Sequence, residues 1–236
     1  MENMNNYANQ GPAKRRPDPV LLDLLKDEVY SVQSVPGDGS CFFYTVVMIL
    51  LGYTREYTTE RPNKYVRSSM DRLRSITAHT IYQDPEVLQI QMMDDEGNPN
   101  TIGNMKKRDG NPTGPPDPQT YFDYFLKGEN LPYANDPEVG VVQRLPMFNQ
   151  TLMVIYNDRG SEKQYEFVCH MHIPDVVHDI VLIRRSNDSH YEPIVFYVDG
   201  RWEHRLSLDR RFDPDFKPLF RALFDQCPAV REKITF

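Results

Sequence analysis

Apolar positions along this chain follow two regimes. Up to about residue 145 they form uninterrupted or helically spaced runs, and beyond residue 150 they gather in short β-branched runs separated by turn residues. Residues 1–17 are polar and predict a disordered N-terminal arm. Asp18-Pro19 opens a short helix through Leu25, and Glu28 to Val35 alternates loosely enough for a strand. Phe42 to Leu51 is apolar without a breaker until Gly52, which predicts a buried helix with Cys41 in its first turn. Val66, Met70, Leu73, Thr77 and Ile81 share one face of a helix expected over 63–82. Arg67, Arg72 and Arg74 fall off that stripe and read as a solvated face, with His79 near the helix end as a surface residue. Pro85 begins another short helix. Residues 94–118 then break the pattern with closely spaced Gly and Pro, predicting a flexible insertion with little buried core. Asp117-Pro118 caps an aromatic helix over 119–127, and Asp136 is the expected N-cap of a helix from Pro137 to about Leu145. Strands are expected over 151–156, 164–169, 179–184 and 190–198, followed by a tail helix over 215–224.

Helices first and most strands later indicate an α+β fold, with a mixed or antiparallel sheet packed between helices. The expected organisation is the arm at 1–17, one domain over 18–198 carrying the insertion at 94–118, and a C-terminal extension over 199–236, either packed on the domain or binding a partner. The net charge of −7 argues against generic nucleic-acid binding. No apolar run approaches the ~18 residues of a membrane span, and the N-terminus lacks a signal-type apolar stretch. The three cysteines, Cys41, Cys169 and Cys227, are odd in number and far apart, so neither a disulfide framework nor a metal set is expected, and a reducing intracellular setting fits. Cys169-His170-Met171-His172 alternates across a strand and does not converge on a metal. His178 and His204 lie in polar stretches and read as surface residues.

Chemistry concentrates at Pro36-Gly37-Asp38-Gly39-Ser40-Cys41. A free cysteine is more often a small buried hydrophobe than a reactive group. A merely structural cysteine, however, does not need two glycines and an aspartate directly before it. A thiol at a helix N-terminus faces unpaired N–H groups and a partial positive charge, conditions that suit a thiolate nucleophile. Such a nucleophile needs a base, and the base an orienting group. His190 enters a strand directly after a turn, and Glu192, two residues on, shares its face. A carboxylate on the imidazole Nδ1–H would fix the tautomer and favour imidazolium.

Gly37-Asp38-Gly39-Ser40-Cys41-Phe42-Phe43 resembles the Asp-Gly-Asn-Cys-Leu-Phe signature of the ovarian tumour (OTU) family of deubiquitinating cysteine proteases, with Ser40 for Asn and Phe42 for Leu. His190-Tyr191-Glu192 resembles the family's second signature, His and an aromatic followed by Asp or Asn. The resemblance spans roughly residues 28–198, and Leu131-Pro132-Tyr133-Ala134 replaces the usual Trp-Gly segment. It implies a papain-like fold, Cys41 as nucleophile and His190 as general base. Glu192 stands in the orienting position, with Asp38 or Asn187 as alternatives. Backbone amides of Asp38, Gly39, Ser40 and Cys41 would form the oxyanion hole. The implied activity is cysteine isopeptidase cleavage of ubiquitin or polyubiquitin from lysine, or of a ubiquitin-like modifier, by an intracellular, cytoplasmic monomer without cofactor or metal. In a virus or an effector-injecting bacterium that compartment would be the host cytoplasm. A catalytically inactive ubiquitin-binding module and a thiol hydrolase of other amides or esters are the alternatives.

Overall fold

The computed structural model describes residues 21, 24–55, 57–58, 63–94, 96–127, 131–158, 165–169, 172–186 and 189–234. The expected N-terminal arm and most of the expected 18–25 helix lie outside this set. Strand β1 (Tyr30–Val32) leads into the glycine loop and helix α1 (Cys41–Leu51), followed by α2 (Lys64–Gln83), α3 (Pro85–Gln91), α4 (Pro118–Leu126) and α5 (Asp136–Gln143). Strands β2 (Thr151–Asp158), β3 (Tyr165–Val168), β4 (Asp179–Ser186), β5 (His190–Val198), β6 (Arg201–Glu203) and β7 (Arg205–Ser207) come next, then helices α6 (Lys217–Gln226) and α7 (Pro228–Ile234). The fold is α+β with a mixed sheet in the order β1-β5-β4-β2-β3. β6 continues beside β5, and β7 beside β4. β2 and β4 run parallel; the other pairs are antiparallel.

Both faces of the sheet are covered, which explains why β4 reads as a continuous apolar run. Alternate residues divide between two cores. Leu152, Val154 and Tyr156 of β2, with Ile180 and Leu182 of β4, face one side, where α6 and α7 contribute Leu219, Phe220, Leu223 and Val230. Met153 and Ile155, with Val181 and Ile183, face the other, where α1 and α2 pack. Helix α1 is buried from Cys41 through Ile49, and Gly52 ends it in the left-handed conformation (φ 61°). A third core joins α2, α3, α4 and α5 through Ala78, Ile81, Leu88, Tyr121, Phe125 and Val141.

Several expectations change. Arg74 is not solvated; it is buried, 3% exposed. His204 is likewise buried, its Nε2 3.0 Å from Tyr53 O. Segment 94–118 forms no helix or regular strand among its described residues before Pro118, where α4 begins, yet it buries Ile102 in the third core, and Asn100 bonds the carbonyls of Gln91 and Met93. The N-cap of α5 is Asn135 rather than Asp136, in a capping box whose Glu138 carboxylate accepts the Asn135 N–H. The described part of the expected extension, 199–234, supplies β6, β7, α6 and α7 to the same sheet and core. Cys169 and Cys227 form a disulfide, with Cα atoms 6.3 Å apart, that ties the end of β3 to the end of α6. Distance along the chain hides this pair, and the compartment inference drawn from unpaired thiols loses that support. His170 and Met171 lie outside the described residues. Among the described residues no helix is long and apolar enough to cross a membrane.

Candidate active site

Cys41, the one free cysteine, is the first residue of α1 and is fully buried. The loop before it is shaped by side-chain and backbone contacts together. Gly39 adopts φ 79°, and a Cβ there would stand 2.0 Å from Leu131 O. Glycine meets both demands, the left-handed backbone and the close approach of the 131–134 segment. Asp38 is exposed, and its Oδ1 accepts the Ser40 N–H at 3.1 Å. Of the four loop amides expected to face an oxyanion, Ser40's is thus engaged within the loop. Cys41's lies at the helix start, where no earlier turn supplies an acceptor.

Strand β5 closes the site from the other side. The Cys41 thiol donates to Ser189 O at 3.4 Å, and the Tyr191 N–H donates to Cys41 Sγ at 3.5 Å. The sulfur therefore sits against the backbone on both sides of His190. Thr45, one turn along α1, donates to Tyr191 O at 3.1 Å and fixes the helix against the strand. The His190 ring overlies the loop, with Nδ1 3.8 Å from where a Gly37 Cβ would be. The side chain lies close enough to Cys41 for the two to interact, and its Nε2 lies 3.7 Å from Glu192 Oε1. The carboxylate thus stands on Nε2, not on Nδ1 as the sequence suggests, and Nδ1 is left on the loop side. The interaction with Cys41 first, and the Glu192 carboxylate second, push His190 up to about 9 against the opposing effect of burial.

Glu192 is itself held in place. It is 3% exposed, and its Oε2 accepts from Arg184 Nη1 at 3.0 Å across the register that pairs the two residues on β4 and β5. A buried carboxylate needs such a partner to remain charged. Asp38 is committed to the Ser40 amide, and Asn187 lies outside the described residues.

Two contributors escape a reading of the sequence. Arg74, from the middle of α2, donates from Nε to Phe125 O (2.7 Å), from Nη1 to Gly39 O (3.0 Å) and from Nη2 to Pro132 O (2.8 Å). Its Nη1 also lies 3.4 Å from Ser40 Oγ, and its guanidinium covers the Phe43 ring. The second is the wall 131–134. Tyr133 OH donates to Gly37 O at 3.4 Å, and Tyr191 OH donates to Ala134 O at 3.3 Å. In the sequence, Leu131-Pro132-Tyr133-Ala134 stands out only as a departure from the family pattern. Arg74 carries no signal there beyond standing next to the stripe residue Leu73.

No family model matches the chain, and no curated protein matches it. Solved structures to which it is similar include OTU domains. The OTU domain of OTUD1 is 14% identical, with 70% of this chain and 85% of that one covered and a TM-score of 0.44. An OTU deubiquitinase from Wolbachia pipientis wMel, solved bound to ubiquitin, is 14% identical over 71% of this chain and 96% of that one, with a TM-score of 0.40. The Hazara virus OTU, also bound to ubiquitin, is 15% identical over 72% and 84%, with a TM-score of 0.38.

Proposed function

We propose that this protein is a cysteine isopeptidase of OTU type that removes ubiquitin, or a ubiquitin-like modifier, from lysine side chains. The observation that carries the proposal is the alignment of Cys41, His190 and Glu192, residues of the two sequence signatures that meet only through the fold. The Cys41 thiol gives its proton to His190, and the resulting thiolate attacks the carbonyl carbon of the modifier's C-terminal glycine as the carbonyl π electrons move onto oxygen. Loop amides, led by the Cys41 N–H, stabilise that oxyanion, a contribution of about 2.7–4 kcal/mol per donor. His190, protonated and facing the loop, gives its proton to the leaving lysine amine as the C–N bond breaks, leaving a thioester on Cys41. It then takes a proton from water, which attacks the thioester and frees Cys41 and the modifier's carboxylate. Glu192 keeps the ring oriented and its cation favourable, while Arg184 keeps Glu192 in place. A ubiquitin substrate places this chemistry in the cytoplasm.

The test is covalent. Ubiquitin carrying a thiol-reactive electrophile at its C-terminus is expected to add once, at Cys41, because the other two cysteines are buried and bonded to each other. His190→Ala should slow the addition. Binding of ubiquitin without an adduct would favour a recognition module. An adduct at Cys169 or Cys227 would refute the site. If ubiquitin neither binds nor reacts while a small alkylating agent modifies Cys41, the substrate is a different amide or ester.

A further inference from the structure

The peptide group joining Gly39 to Ser40 is pinned at both ends by side chains from different parts of the chain. Its carbonyl oxygen accepts from Arg74 Nη1 at 3.0 Å, and its N–H donates to Asp38 Oδ1 at 3.1 Å. In a trans peptide these two groups point in opposite directions, so together they fix the plane. The residue before that peptide is Gly39, at φ 79°, where the backbone has the greatest freedom to turn. The next residue is Cys41. Rotation of this plane would turn an electron-rich carbonyl to the face now holding an N–H, and would displace the start of α1 on which the nucleophile sits.

We propose that Arg74 is a positioning residue for the Cys41 loop, its guanidinium locking the Gly39–Ser40 peptide plane and clipping the loop to Phe125 and Pro132 opposite. The proposal rests on the reading of Cys41 as an acyl-transfer nucleophile, though not on ubiquitin as the substrate. A planar fork suits this role, because three carbonyls, of Gly39, Phe125 and Pro132, are satisfied by three separate nitrogens of one side chain. Lysine has one nitrogen on a flexible stem and cannot span them. Burial lowers Arg74 from its ordinary value, and nearby negative groups act against that loss. Glu138, buried and held by the Asn135 N–H and by Gln91 Nε2, and Asp38 both interact favourably with Arg74, as does Cys41 itself. The guanidinium also covers Phe43, two residues past Cys41.

The test separates attack at carbonyl carbon, which develops an oxyanion over the loop, from attack at alkyl carbon, which does not. The intact protein and Arg74→Lys are compared in three measurements. These are acylation of Cys41 by p-nitrophenyl acetate, kcat and KM on ubiquitin bearing a C-terminal fluorogenic amide, and alkylation of Cys41 by iodoacetamide. Arg74→Lys is expected to slow acylation and lower kcat by about 10²-fold, the size of losing one oxyanion donor. KM and the alkylation rate should stay within about three-fold. Equal loss in acylation and alkylation, tracking a lower melting temperature, would reduce Arg74 to a fold-supporting residue. Wild-type acylation would remove it from the loop's chemistry altogether. Should Arg74→Lys not fold, Asp38→Ala releases the other end of the same peptide from an exposed position. It must show the same selective loss of acylation, and unchanged acylation would overturn the proposal. If the wild-type protein acylates with the ester but ignores the ubiquitin amide, the substrate reading fails while the comparison at Arg74 still stands.

Discussion

At the residue scale, the site is set by which atoms of His190 meet which partner. The interaction with Cys41 and the Glu192 carboxylate, 3.7 Å from Nε2, together hold the ring as a cation up to about 9. A general acid must be protonated to serve the leaving amine, so the alkaline limb of kcat/KM is expected near that value. Removing the carboxylate's charge removes part of the stabilisation of the cation, so Glu192→Gln should move this limb to lower pH and lower the rate. A pH–rate profile on the fluorogenic ubiquitin amide checks this, and an alkaline limb left where it was would deprive Glu192 of its role. The candidate trio is legible in the sequence, because glycines before a cysteine and a histidine two residues before an acid are local patterns. Arg74 is not. Its partners are carbonyls of Gly39, Phe125 and Pro132, remote along the chain, and no periodicity can tell such an arginine from one bathed in solvent.

At the scale of elements, periodicity locates the helices and strands and misjudges what joins them. Helix α2 follows its stripe, with Val66, Met70, Leu73, Thr77 and Ile81 all buried, and its N-cap is Asn63. Segment 94–118 shows the opposite case. Proline and glycine report that no regular element forms; they do not report what a turn buries. Ile102 is 8% exposed and packs with the helices, while Asn100 Oδ1 accepts the Ile102 and Gly103 N–H groups and its Nδ2 reaches back to α3. A Cβ at Gly103 would come within 2.3 Å of Met92 O, so the segment is seated closely against the end of α3. Ile102→Ala is therefore expected to cost about 2 kcal/mol, the low end for a buried isoleucine, measured by urea unfolding. A loss of only a few tenths would return the segment to the status of a surface loop. Ile102 packs in the third core and Cys41 in the second, so the same variant should change kcat little.

At the scale of the whole molecule, one sheet separates two cores, and the C-terminal residues complete one of them. Without α6 and α7, Leu152, Val154, Ile180, Leu182 and Phe196 would lose their cover. Sequence alone could not settle this, since a tail helix with an apolar face fits either a core or a partner. His204 marks the joint. It sits between β6 and β7, buried, and bonds the carbonyl of Tyr53 just beyond α1, which links the tail to the helix that carries Cys41. Burial lowers it to about 4, from an ordinary value near 6.5. Between those values the unfolded chain binds a proton that the folded protein refuses, so stability is complete above about pH 6.5 and declines as pH falls toward 4. The full decline amounts to about 3 kcal/mol. His172, also lowered by burial, adds in the same direction. Glu138 is raised by burial and acts oppositely. His190, raised to about 9, is protonated in both states below pH 6 and contributes no slope there; its stabilisation is lost only as pH rises from about 6.5 through 9. Urea midpoints of the wild-type protein measured from pH 6 to 5, below the range where His190 contributes, should fall steadily. In His204→Gln, whose amide can still donate to Tyr53 O, that fall should flatten even if the variant is less stable throughout. An unflattened slope would mean that acid reaches the fold elsewhere, and that the tail is not joined to α1 through a neutral imidazole.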